Sequence, residues 1–317
     1  MKKKKLLKIF VVFACILTLT GCAKSATVTT KNGKKKTEER IITNILCRPT
    51  DKETLKLYEK YNEKSKKKVN IEKLPECKKM NLAGKYHDLW TNIFVKTIAF
   101  IIIQLGLLVK NYGAGLIIAT LLIRLIAYPL TNKAAMQSEN LKKAQPELTK
   151  LENKYANKPK DDRQVMMQKS QEMMMIYKKY DINPMSTCLF ALFQIPLFFA
   201  FYEAIQRIPV IFEENFLGFD LGLSPMAAVG QGDFKYLIFI VIIAGSTYYS
   251  FKLNSGASMD PNQQKQMNTM SKVMVVMMTF MAFSISTGIA FYWTTTSLFT
   301  IVQNLLVKRG KKNAKNK

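Results

Sequence analysis

Arg124 is the residue of this chain whose type and place ask for chemistry. It stands inside the apolar run Gly113 to Leu130, GAGLIIATLLIRLIAYPL. A charge at membrane depth is disfavoured by about 2.5–3.5 kcal/mol on translocon-based scales. A chain keeps such a residue only where the protein supplies a wet or paired niche. The spans are read as giving Arg124 no acidic partner, so it is expected to face a water-filled cavity. A guanidinium in a low-dielectric recess attracts acidic or polar peptide segments, and its field is poorly screened there. That chemistry is recognition rather than bond breaking. His87 is the only histidine, and neither a G-x-x-x-x-G-K-[ST] loop nor a zinc spacing occurs. Histidine-based catalysis in the membrane and nucleotide hydrolysis by such a loop are excluded. No enzyme activity, metal or cofactor is expected.

Other polar residues share the depth of Arg124. If the first span ends near Thr131, Arg124 lies seven residues in, about 10 Å from the edge. The second span runs back from about Thr187, which puts Gln194 at a similar depth. Thr120 is one turn outward of Arg124. Ser246, Thr247 and Ser250 crowd one half of the third span. In the last span Trp293, Thr296, Ser297, Thr300, Gln303 and Asn304 follow helical spacing on one face. For any single Ser or Thr, interhelical glue is the better reading. Together with Arg124 the set suggests a hydrophilic recess open on the cytoplasmic side and closed on the other.

The elements that must position these residues are membrane helices. The chain has 317 residues, 48% hydrophobic, and a net charge of +26. Long apolar runs alternate with Lys-rich stretches, which is a membrane pattern and not one soluble core. The positive charge flanks the spans and fills the termini. Anionic lipid and orientation account for it better than DNA does, with ribosomal RNA contact by the tail as the nucleic-acid version kept.

The segment MKKKKLLKIFVVFACILTLTGC has a Lys-rich start, an apolar stretch and small residues before Cys22. Residues 1–21 read as a signal peptide. Cys22 reads as a lipobox cysteine that carries fatty acyl (palmitate-type) lipid, which puts the following residues outside the cytoplasm. Residues 22–87 are polar and Lys-rich. They are expected to form a tether with a local helix near 52–65, not a packed domain. Cys47 and Cys77 lie in it, and a disulfide or two free thiols are equally open. Residues 88–110 include Leu89 to Leu108, long enough to span, but spanning would invert every later segment.

Loop charge decides against that. Residues 133–180 hold eleven Lys and Arg, while residues 208–234 hold none and carry Glu213, Glu214, Asp220 and Asp233. Basic loops stay cytoplasmic. The expected fold is therefore all-α and polytopic. It has five transmembrane helices within a core at 111–307, and 88–110 forms an external interfacial helix. The N-terminus is outside and the C-terminus is cytoplasmic, in a bacterial plasma membrane. The spans after that of Arg124 are Thr187 to Ile205, Lys235 to Phe251, Met267 to Ser284 and Gly288 to Val307. Residues 308–317 form a basic tail.

Within 133–184 two stripes recur at spacings of three and four. One is Leu141, Ala144, Leu148, Leu151 and Tyr155; the other is Met166, Lys169, Met173, Tyr177 and Tyr180. They predict an antiparallel cytoplasmic helical hairpin. Asp161 and Asp162 suit the start of the second helix. Pro146 is expected to kink the first helix or mark its start. Met166, Met167, Met173, Met174 and Met175 either offer a pliable apolar surface or fill the hairpin seam, and the seam is favoured.

Several stretches resemble the YidC family of membrane protein insertases, relatives of the mitochondrial Oxa insertases. They are LLIRLIAYPLTNKAAMQS (121–138), SQEMMMIYKKYDINPMSTC (170–188), FQIPLFFAFY (193–202), DPNQQKQMNTM (260–270) and GIAFYWTTTSLFTIVQNLL (288–306). The lipobox resembles the Gram-positive branch. The resemblance runs from about 88 to 309. It departs at Ser186-Thr187, where two glycines are common, and at Phe190, where a proline is common. It implies an insertase and chaperone for nascent membrane proteins, acting alone or beside the Sec translocon, with ribosomes as cytoplasmic partners. It places the groove arginine at Arg124. It makes Thr120, Gln194, Phe198, Met281 and Trp293 client-contacting, while Thr296, Thr300 and Gln303 complete the groove from the polar face read above. An anion transporter and a helix-binding scaffold are the alternatives. No internal repeat supports the transporter, and a scaffold would tolerate loss of Arg124.

Overall fold

The computed structural model describes residues 25–32, 35–42, 44–63, 70–83, 88–159, 162–254 and 261–315. The expected signal peptide, Cys22, His87 and Asp161 lie outside the described residues. Two antiparallel strands, β1 (Ser25–Asn32) and β2 (Lys35–Ile42), open the described chain, with Ser25 opposite Ile42. Helix α1 is Lys52–Glu63. A π-helical turn, Thr91–Val95, leads into α2, Lys96–Val109. Then come α3 (Tyr112–Ile126), α4 (Tyr128–Tyr155), α5 (Arg163–Lys179) and α6 (Pro184–Gln206). A short α7 (Pro209–Phe212) precedes a two-stranded hairpin of β3 (Asn215–Phe216) and β4 (Phe219–Asp220). The rest is α8 (Pro225–Gly230), α9 (Leu237–Asn254), α10 (Pro261–Ala282) and α11 (Thr287–Lys315).

The protein is mostly helical. Two helical runs among the described residues are long and apolar enough to cross a membrane, Thr91–Val109 and Phe234–Lys252. A bent pair, α3 with α4, makes a third, and Ser271–Ala282 is a shorter apolar helix. The first of these includes the helix expected at the interface. The span expected to run straight to Thr131 instead breaks at Ala127, with Pro129 at the start of α4. Proline lacks the amide that would continue the ladder, which suits it to a first turn.

The chain divides into two compact units. The first comprises residues 1–122, 193–240 and 282–293. Its interior holds Val95 from the π-helical turn, Ile98, Ala99, Ile102 and Ile103 from α2, and Phe201, Ala204 and Ile205 from α6. The Phe201 and Tyr292 rings stack with centroids 4.6 Å apart. Lys110 ends α2 in a left-handed conformation, φ 56°, and α3 folds back against it. A Cβ on Gly115 would fall 2.4 Å from the Gly106 amide nitrogen, so this crossing needs glycine.

The region expected to be a tether is packed in this unit. Ile45, Tyr58 and Ile71 are buried together with Leu55 and Leu74 against them, and α1 lies within the stretch expected to be helical. Cys47 and Cys77 are disulfide-bonded. A low-hydropathy segment reads as disordered because so few side chains are apolar. Here the cross-link and a handful of apolar residues close a small core over residues 44–83.

The second unit comprises residues 123–192, 241–281 and 294–317. Its most regular part is the pairing of α4 with α5. Ala144, Leu148 and Tyr177 are buried between them, flanked by Leu141, Met173, Ile176 and Tyr180. Three ion pairs run across the seam: Lys154–Glu172 at 2.7 Å, Lys169–Glu152 at 2.7 Å and Lys179–Glu147 at 2.5 Å. Asp162 caps α5, its carboxylate accepting from the Gln164 and Val165 amides. Pro146 lies inside α4 and does not mark its start. Of the methionines, only Met173 packs in the seam. Met166, Met167, Met174 and Met175 are more than half exposed, because the seam is already filled by Leu and Tyr.

Candidate functional site

Arg124 lies in the last turn of α3, in the second unit, where a cation suits the negative end of the helix dipole. It is 5% exposed, and its side chain is engaged within the protein. The helix around it is inside out for a soluble protein. Leu122, Leu125 and Ile126 are 42%, 58% and 79% exposed while the arginine is buried. The same inversion marks the second-unit part of α11. Ser297 and Gln303 are buried, and Leu298, Val302 and Leu306 stand more than half exposed. Water does not select that pattern; lipid does, because apolar side chains facing hydrocarbon lose nothing while polar groups must find partners inside.

Among the described residues of this unit, the buried polar side chains are Arg124, Thr131, Ser246, Thr247, Ser297 and Gln303. Gln303 donates from Nε2 to Thr131 Oγ1 at 2.7 Å, and Thr131 Oγ1 donates to the Tyr128 carbonyl at 3.1 Å. Thr300 donates to the Thr296 carbonyl at 2.9 Å, and Asn304 to the Thr300 carbonyl at 2.9 Å. Among the described residues of this unit, four further buried oxygens have no hydrogen-bond partner: Asn132 Oδ1, Ser250 Oγ, Thr294 Oγ1 and Thr296 Oγ1. Buried polar atoms are normally satisfied, so these have capacity to spare for a polar guest or water. The apolar helices of this unit, residues 123–132, 241–254, 261–281 and 294–315, contain no Asp or Glu.

The other expected site residues fall in different places. Thr120 belongs to the first unit and is buried, its hydroxyl donating to the Leu116 carbonyl at 2.8 Å, so its own helix satisfies it. Gln194 is half-buried and also belongs to the first unit. Phe198 and Trp293 meet there edge to face, centroids 5.2 Å apart, and Phe198 also lies 6.1 Å from Tyr202. Met281, in the second unit, is about half exposed. The side chains at 184–193, where the sequence departs from the family pattern, lie outside the described side chains.

Sequence reasoning misses a second arginine centre. The apolar run Thr187 to Ile205 does contain an acid, Glu203, contrary to the reading that the spans have none. Glu203 accepts from Trp90 Nε1 at 3.1 Å and pairs with Arg207 at 3.5 Å, both charged side chains 5% exposed or less. Arg207 also donates to Thr91 Oγ1 at 2.9 Å and to the Asn44 carbonyl at 2.8 Å. The Leu46 amide donates to the Arg207 carbonyl at 2.9 Å. One arginine thus ties the disulfide-bonded segment, the start of the helical run at Thr91 and the end of α6. The signal available in the sequence was an acid and an arginine four residues apart at the edge of an apolar run.

A family model described as 60Kd inner membrane protein matches residues 104–315. The chain is 33% identical over 241 residues to the membrane protein insertase YidC of Oceanobacillus iheyensis, covering 74% of this chain and 91% of that protein. It is 32% identical over 235 residues to the membrane protein insertase YidC 2 of Bacillus anthracis, covering 73% and 87%. It is 33% identical over 198 residues to the membrane protein insertase MisCA of Bacillus subtilis, covering 62% and 70%.

Proposed function

The chain belongs to the 60Kd inner membrane protein family, and from that footing we propose that it inserts nascent membrane proteins through the polar interior around Arg124. The observation that carries the reading is the inverted polarity of α3 and α11. Both turn apolar residues outward and hold Arg124, Ser297 and Gln303 inside. A client's short polar tail is drawn by the guanidinium and meets the hydroxyl and amide groups of Thr296, Thr300 and Gln303. Its apolar helix stays in hydrocarbon, and burial of that helix supplies the energy, without a nucleotide. Thr120 and Gln194 are further client-facing positions, taken from the family resemblance. Phe198, Trp293 and Met281 serve the client's apolar helix as it leaves.

The protein acts in the cell membrane with five crossings, the N-terminus outside and lipidated at Cys22, and the C-terminus in the cytoplasm. Residues 88–110 lie along the outer interface. The α4–α5 hairpin and the basic end of α11 then face the cytoplasm, within reach of ribosomes and anionic lipid, and the Sec translocon is a partner for larger clients. Eleven Lys and Arg in residues 133–180 against none in 208–234 support this orientation.

A photo-crosslinking residue tests the groove. Placed at Thr300 or Gln303, it is expected to capture the polar tail of an arrested client. Placed at Leu306, it is expected to capture lipid. Capture of the tail from Leu306 and not from Thr300 or Gln303 would sink the reading.

A further inference from the structure

The β3–β4 turn carries a residue that local backbone chemistry does not favour. Leu217 and Gly218 form the turn with φ 55° and 81°. A two-residue hairpin turn with both angles positive prefers Asn-Gly, because asparagine tolerates the left-handed region and leucine does not. The leucine is not there to pack: its side chain is 73% exposed. Strain of this kind persists where the surroundings hold it and a function uses it.

The surroundings do hold it. Phe216 meets Phe291 at 5.2 Å, and Phe219 meets Tyr236 at 5.2 Å and Phe239 at 4.8 Å. The Asp220 amide donates to the Tyr236 hydroxyl at 2.8 Å. Tyr236 and Phe239 belong to the helical run Phe234–Lys252, which is long and apolar enough to cross a membrane. The turn is thereby fixed to the end of a candidate span. Phe234 and Ile238 of that run, four residues apart and so on one face, are 63% and 52% exposed. The exposed apolar stripe of the span runs on through Val241, 71% exposed, while Tyr236 and Phe239, which hold the hairpin, are buried. The tip has no polar side chain, and Asn215 and Asp220 lie one rung further back.

We propose that the Leu217 tip, with Phe234, is an anchor that inserts into the outer leaflet of the bilayer. The occupant is lipid because Leu217 stands exposed on a hairpin fixed to the end of a helix long and apolar enough to cross a membrane, whose own exposed apolar stripe starts at Phe234. The one cation at the hairpin among the described residues, Lys235, lies over the Phe219 ring at 5.7 Å and pairs with Asp233 at 3.0 Å, so it sits behind the tip and not on it. This rests on the topology proposed above in one respect, that residues 208–234 face outside.

The test uses the full-length protein in liposomes with Cys188 replaced by serine and the Cys47–Cys77 disulfide intact. Leu217→Cys and Phe234→Cys carry an environment-sensitive fluorophore, and Gln231→Cys reports sidedness with a membrane-impermeant thiol reagent. The expected result is blue-shifted emission at 217 and 234, quenched by spin labels placed shallowly in the lipid, with Gln231→Cys reactive from outside. Water-like, unquenched emission at 217 with Gln231→Cys reactive from outside overturns the anchor and leaves the topology standing. Reaction of Gln231→Cys only from the cytoplasmic side overturns the topology, and the outer-leaflet assignment with it. Leu217→Asn is the control for folding. It should raise the melting temperature in detergent, where no bilayer rewards the leucine; a lower one would show that Leu217 serves the fold and would overturn the proposal.

Discussion

Arg124 and Arg207 are the same side chain, both within 5% of full burial, one in the last turn of α3 and the other just past the end of α6. Their settings differ. Arg207 is closed in by a carboxylate, a hydroxyl and a carbonyl from three separate segments. Arg124 is itself engaged, but in a unit whose apolar helices offer hydroxyls and amides and no carboxylate, and where, among the described residues, four buried oxygens have no hydrogen-bond partner. A buried charge tied to a carboxylate and to two further segments is a clamp. A buried charge among neutral polar groups with spare capacity can accept a guest. Burial alone does not separate the two; the chemistry of the neighbours does.

The sharpest way to break this contrast is to remove each arginine in turn. Deleting one partner of a buried pair leaves the other charge uncompensated, at about 3–5 kcal/mol. Arg207→Ala should therefore lower the unfolding midpoint in detergent strongly, and the double change Glu203→Gln with Arg207→Gln should recover part of the loss. Arg124→Ala should shift the same midpoint much less while reducing client insertion. Equal losses of stability from the two single variants would erase the distinction.

The clamp also depends on the segment it holds. Removing the disulfide with Cys47→Ser and Cys77→Ser should cost about 2–4 kcal/mol. The loss should appear as proteolysis within 44–83, with the helical core intact. If residues 44–83 stay protected after the change, the Arg207 contacts alone suffice to hold them. At the crossing of α2 and α3, Gly115→Ala would push a methyl into the Gly106 backbone. Overpacking of this kind costs about 1–3 kcal/mol. It should weaken the first unit while sparing the α4–α5 pairing, as read by hydrogen exchange.

The smallest effect concerns pH. Hydrogen bonds from Lys179 and Tyr180 hold the Glu147 carboxyl below its usual range, and those from Lys154 and Tyr155 do the same for Glu172. A folded-state pKa below the unfolded one stabilises above the unfolded value and is lost as pH falls through the folded one. Exchange protection across the α4–α5 seam should therefore be steady from neutral pH down to the ordinary carboxylate range and decline below it. Glu147→Gln with Glu172→Gln should remove that decline. The pairs are exposed, so the change should be modest.

The helical class and the stripes that pack α4 against α5 were legible in the sequence because each rests on a strong local signal. Leu148 and Tyr177 fall where a three-four spacing puts them, and Asp162 caps where a carboxylate should. Three features were not legible. The small core of Ile45, Tyr58 and Ile71 depends on a disulfide whose pairing spacing cannot decide. The break at Ala127 depends on where α3 and α4 pack, and a continuous apolar run hides it. Exposure of Met166, Met167, Met174 and Met175 depends on which side of α5 the seam takes, and a methionine-rich helix offers more than one apolar face. Glu203 was legible and overlooked: it stands within an apolar run as openly as Arg124 does.

The central claim is that Arg124 receives client segments while Arg207 holds the fold. The most direct measurement is to reconstitute the purified protein alone in liposomes and synthesise a small single-span client in their presence. Protease protection of the client's translocated tail is the readout. The account predicts protection with the wild-type chain, loss with Arg124→Ala although that variant is folded and correctly oriented, and substantial recovery with Arg124→Lys. Full protection with folded, correctly oriented Arg124→Ala would contradict it.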